Sequence, residues 1–75
     1  MEYTHEDLLE AKRQIDSTLH KLRETVKTLE AKENPERLKP QITLAQRRIA
    51  AFGLANELIV DKLQALEAQD EHPLD

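Results

Sequence analysis

The chain has 75 residues, no cysteine, 35% charged residues, 3% aromatics and a single glycine, which leaves room for one small domain and excludes disulfides, thiolate metal sites and cysteine redox chemistry. Its formal charge of -4 is unevenly spread: residues 4–33 carry seven carboxylates against six Lys and Arg, residues 34–66 carry three against five, and Glu67, Asp70, Glu71 and Asp75 are unbalanced by any cation. A nearly neutral, charge-mixed body is a poor electrostatic match for nucleic acid or anionic lipid, both of which reward clustered Lys and Arg.

No apolar run approaches the roughly 18 residues of a membrane span, and residues 1–20 lack the basic-then-apolar layout of a secretory signal. The expectation is a soluble, cytoplasmic protein without membrane contact.

Thr4 is suited to cap a helix, with Glu6 and Asp7 in the first turn where carboxylates favour the positive end of the helix dipole. Leu8, Ile15, Leu22 and Leu29 then occupy one heptad position and Lys12, Leu19 and Val26 the other, so the spacing predicts an amphipathic helix over about 4–31. Residues 32–40 read as a turn. Within it Asn34 and Pro35 suit the cap and first position of a short helical turn at 35–38, because Pro40 lacks the N–H that would continue that turn as an α-helix.

A second helix is predicted over about 40–67, with Pro40 able to serve as its first residue. Its seam runs through Ile42, Ala45, Ile49, Phe52, Asn56, Ile59, Leu63 and Leu66 in steps of three and four, and it is expected to fray near Leu66 to Ala68. Residues 69–75 show no periodicity and are expected to form an acidic tail without order, which leaves residues 1–68 as the helical hairpin. The two seams match one another. An antiparallel pair joined by a tight turn must pair residues whose numbers have a nearly constant sum, and Leu29 with Ile42, Leu22 with Ile49, Leu19 with Phe52, Ile15 with Asn56 and Leu8 with Leu63 all give 71. The fold class is therefore all-α, an antiparallel coiled-coil-like hairpin.

One facing helix does not cover helix 2. Leu44, Ala51, Leu58 and Ala65 recur every seven residues beside the main seam, with Leu54 and Ala55 next to them. Burying one leucine stabilises by about 1.5–3 kcal/mol, so these six residues are the expected interface of a homodimeric four-helix bundle. Gly53, about 1 kcal/mol less favourable than alanine in a helix, would be compensated by a close helix crossing. Asn56 is a seam amide of the kind that fixes register and oligomer state at a cost in stability, with Lys12 or water as its expected partner.

Nothing in the sequence is arranged for catalysis. His5, His20 and His72 do not share a helix face, His20 with Glu24 is a His–carboxylate pair at helical spacing that makes a poor metal site, and Ser17 is the sole serine. There is no Gly-rich phosphate loop and no Ser-His-Asp pattern, so no enzyme activity, cofactor or metal is expected.

Several families share features with the chain. Arg13-Gln14-Ile15-Asp16 resembles the opening helix of chorismate mutases, but its spacing departs from theirs and a third helix is lacking. Sporulation phosphatases acting on response regulators are also helical hairpins, yet their Ser-Gln-Glu-Leu-Asp signature is absent from Thr43-Leu44-Ala45-Gln46-Arg47-Arg48. Leu8 to Ile15 and Gln41 to Ile49 together resemble small Gram-positive bacterial hairpin proteins of unassigned function. In design the chain resembles the plasmid regulator Rop, a hairpin that dimerises into a four-helix bundle and grips RNA with one helical face. That resemblance implies phosphate contacts from Arg37, Lys39, Arg47 and Arg48, without an exposed aromatic among them. The favoured expectation is a non-catalytic interaction or structural module acting as a homodimer, with a further protein partner possible; a small nucleic-acid-binding regulator is the alternative.

Overall fold

The computed structural model describes residues 3–70. Two helices, α1 (His5–Glu30) and α2 (Lys39–Asp70), are joined through a 3-10 turn at Pro35–Leu38, with no strand among the described residues. The result is an all-α helical hairpin, a rod of 64 × 19 × 17 Å.

Helix α1 starts where the capping chemistry places it. The Thr4 hydroxyl accepts from the Asp7 backbone N–H at 3.0 Å, and the Asp7 carboxylate accepts from the Thr4 backbone N–H at 3.1 Å. Two N–H groups that the first turn would leave unpaired are thereby satisfied reciprocally. At the other end Ala31 closes the helix, its N–H donating to the Lys27 carbonyl at 3.1 Å.

The turn forms at the expected residues, with one difference in how it is capped. Pro35 takes the first position, but Asn34 contributes its backbone rather than its side chain: the Arg37 N–H donates to the Asn34 carbonyl at 3.2 Å, and no side-chain cap bond forms. Helix α2 begins at Lys39, one residue before Pro40, where the missing proline N–H falls in the first turn, and the Glu36 carbonyl four residues before Pro40 accepts from the Lys39 N–H instead. It continues to Asp70, past the fraying expected at Leu66 to Ala68 and through two residues assigned to the tail. The rest of that tail, residues 71–75, lies outside the described residues.

The core is the shared seam. Leu8, Leu19, Ala45 and Leu63 are buried, Leu19 most completely at 4% exposure. The other seam residues of α1, including Lys12, are all half-buried, as are Ile42, Ile49, Asn56, Ile59 and Leu66 of α2. Phe52 departs from this pattern: placed on the seam against Leu19 by its spacing, it remains 36% exposed. A phenyl ring is too wide for one facing helix to cover. The register agrees with the sequence pairing to within one residue, since two polar contacts that cross between the helices among the described residues, Asp16 with Asn56 and His5 with Glu67, have numbers summing to 72.

Candidate interaction face

The seam uses only one side of α2. On another side Leu44 is 48% exposed, Leu54 60% and Leu58 62%. Ala51 and Ala65 are exposed between them, and Ala55 is half-buried. Leu44, Ala51, Leu58 and Ala65 share one heptad position and so form a line along the helix. Arg47, Leu54 and Asp61 lie three residues on from this line and border it on one edge; Arg48, Ala55 and Lys62 lie four residues on and border it on the other. An apolar strip thus runs along α2, with charge at both ends and hydrocarbon in the middle. Single exposed leucines are ordinary, whereas apolar side chains grouped along one helix face make a candidate contact surface.

The polar end of the seam is organised around Asp16. Lys12, although it occupies a core position, extends its ammonium to the Asp16 carboxylate at 2.8 Å, burying its hydrocarbon stem while the charge reaches the edge. The Asn56 amide donates to the other Asp16 oxygen at 3.0 Å. Asn56 was expected to meet Lys12 or water; the residue it meets is the one Lys12 already holds. The Asn56 carbonyl oxygen is buried with no hydrogen-bond partner. The Lys12 hydrogen bond, with lesser help from the Lys12 charge and Asn56, holds the Asp16 carboxyl below its ordinary range against a smaller opposing effect of desolvation. On the outer face Gln14 donates to Glu10 at 2.8 Å and Arg13 donates to it as well, and these bonds lower the Glu10 carboxyl in the same order.

Gly53 does not mark a close approach within the hairpin. A Cβ built on it would meet nothing within 4 Å, so the crossing expected to compensate for it is not formed between α1 and α2. The histidines differ from expectation too. Glu24 pairs with Lys27 at 3.1 Å, and the close His–carboxylate pair is instead His5 with Glu67, 3.6 Å apart across the open end of the hairpin. His72 lies outside the described residues.

The four candidate phosphate-binding cations do not converge. Lys39 and Arg47 border an open hollow with Glu36, Pro40, Thr43 and Leu44. Arg37 borders a different one with Lys32, Glu33, Asn34 and Gln41, and Arg48 borders neither. Both hollows contain a glutamate. Among the described residues no three His, Asp or Glu side chains are grouped to hold a metal ion, and no helix is long and apolar enough to cross a membrane.

No family model, no curated protein and no solved structure matches the chain.

Proposed function

We propose that the chain is a non-catalytic interaction or structural module that works as a homodimeric helical bundle. The observation that carries this reading is the uncovered strip of α2, above all Leu54 and Leu58 at 60% and 62% exposure. A chain of 75 residues without disulfides gains from each leucine it covers about 1.5–3 kcal/mol at full burial, against a whole-domain stability of about 5–15 kcal/mol. A second copy is the partner that is always present at matching concentration, and twofold self-association is the commonest way for soluble chains to cover such a face. The partly exposed Phe52 supports the same reading, because it sits on the seam edge that a bundle would enclose.

Sedimentation equilibrium across a dilution series tests it. A dimer at micromolar concentration that is weakened by Leu54→Gln and by Leu58→Gln is the expected result; a strict monomer would overturn the proposal. Nucleic-acid binding of Rop-like design draws on Arg47 and Lys39 at one hollow. It receives less support, because Arg37 and Arg48 lie apart from that pair and Glu36 faces the same hollow. RNA retention that falls steeply with salt and disappears in the Arg47→Ala, Arg48→Ala double variant would favour it.

A further inference from the structure

The end of the hairpin opposite the turn has little apolar packing to hold it closed. We infer that His5 and Glu67 form a pH-dependent clasp there, which holds the last turns of α2 against α1 when the imidazole is protonated and loosens them when it is neutral. This inference stands apart from the homodimer reading, because both residues belong to one chain.

The two sides of that end are secured unequally. On α1 the Thr4–Asp7 capping box fixes the first turn by two reciprocal hydrogen bonds. On α2 the last buried side chain is Leu63, at 7% exposure, and among residues 64–68 only Leu66 is half-buried. The last turn of α2 also contains no basic residue, which would otherwise complement the negative end of the helix dipole. A helix end with so little apolar cover opens at low cost in free energy, so one added contact changes how often it does.

That contact sets His5 Nε2 at 3.6 Å from Glu67 Oε2, across the gap between the helices. The distance lies beyond hydrogen-bond range, so the attraction depends on charge, and an imidazole is charged only when protonated. Imidazoles take up that proton between about pH 8 and pH 5, where carboxylates remain ionised. The surrounding charges favour the protonated form. On α1, Glu6 follows His5 directly, Asp7 is engaged by the Thr4 N–H, and the cations Lys12 and Arg13 are committed to Asp16 and Glu10. On α2, Asp70 lies three residues beyond Glu67, and Lys62 lies more than a turn before it. The α1 N-terminus opposes a positive His5 while the α2 C-terminus beside it favours one, so the two helix ends offset each other and Glu67 decides the sign. Closure is therefore strongest in mild acid and is lost as the pH rises through the imidazole range. With the His5 and Glu67 side chains 42% and 57% exposed, solvent screens the pair, and its effect on the opening equilibrium is about twofold.

The test is the helical population of Leu66 to Asp70 in the full chain, read from Cα chemical shifts at about pH 8 and about pH 5.5. The ratio of open to closed end is expected to fall about twofold at the lower value, while the shifts of the buried Leu19 and Ala45 stay constant. Asp16 and Glu10, whose carboxyls are held low, titrate below this window. His5→Gln and Glu67→Gln each remove the response. His5→Lys, charged at both pH values, removes it by keeping the end closed throughout. His72 follows α2 in the sequence and carries an imidazole of its own, so His72→Gln is the control that retains the response. A response that persists in His5→Gln or disappears in His72→Gln belongs to another histidine and overturns the clasp. A parent chain whose last turns are equally helical at both pH values overturns it as well.

Discussion

Asp16 on α1 and Asn56 on α2, forty residues apart in the chain, are joined by a 3.0 Å hydrogen bond from the Asn56 amide to the Asp16 carboxylate. The same amide leaves its carbonyl oxygen buried and unpaired. One side chain therefore both ties the helices in register and costs the seam stability. An unpaired buried polar atom costs about 1–3 kcal/mol, and the hydrogen bond it accompanies runs to a carboxylate that water reaches easily. Asn56→Leu is accordingly expected to raise unfolding stability by about 1 kcal/mol in urea titrations. A less stable Leu variant would show that the bond to Asp16 outweighs the orphaned carbonyl.

Acid should weaken the fold through Asp16 and Glu10. Both carboxyls are held below their ordinary values of 3.8 and 4.5, Asp16 first by the Lys12 hydrogen bond and Glu10 first by Gln14 and then Arg13. A group whose folded value is depressed adds stability that is fully present above the unfolded value and is lost as pH falls through the folded one. The urea midpoint is expected to hold steady from neutrality to about pH 5 and to decline below the ordinary carboxylate range. The decline should be shallower in Asp16→Asn. An equal decline in parent and variant would remove Asp16 from the explanation.

Gly53 offers a stabilising substitution. It lies inside α2, where glycine is about 1 kcal/mol less favourable than alanine, and a Cβ there meets open space. Gly53→Ala should raise the melting temperature by about 4–8 °C, the shift expected for 1 kcal/mol in a chain of this size. It lies off the strip formed by Leu44, Ala51 and Leu58, so the dissociation constant of the proposed dimer should not change. A lowered melting temperature would mean that another body packs against Gly53.

The capping box at Thr4 is a fourth handle on stability. Thr4→Ala removes the acceptor for the Asp7 N–H and leaves the reciprocal bond without its counterpart, at an expected cost of about 1 kcal/mol. Thr4→Ser keeps the oxygen and should cost little. Urea midpoints of the two variants separate loss of the cap from loss of the methyl group.

The hairpin was legible because its signals are local and periodic. Thr4 with Asp7, Pro35 and the seam from Leu8 to Leu29 each act within a few residues, and the constant pairing sum then joins two local readings into one long-range contact pattern. The C-terminal extension of α2 was not legible, because polar residues such as Gln69 and Asp70 continue a helix without entering its apolar period. The Asp16 and His5 contacts were also missed. They lie at the seam's edge, where a polar residue carries no periodic mark; the pairing sum of 71 sets Asp16 level with Ala55 and His5 level with Leu66, one residue short of the partner each meets. Phe52 was given to the seam by spacing alone, which records direction from the helix axis but not the width of the ring placed there.

His5 and Glu67 meet at the end of the 64 Å rod opposite the turn, and this arrangement decides how the hairpin responds to force. Tension applied at both ends of the chain would act on neighbouring points of the two helices and peel them apart from the open end toward Pro35, one layer after another. The layers would break in series instead of sharing the load. Such a hairpin is compliant to pulling along its own chain, while a load applied lengthwise between the turn and the open end would be carried by both helices at once.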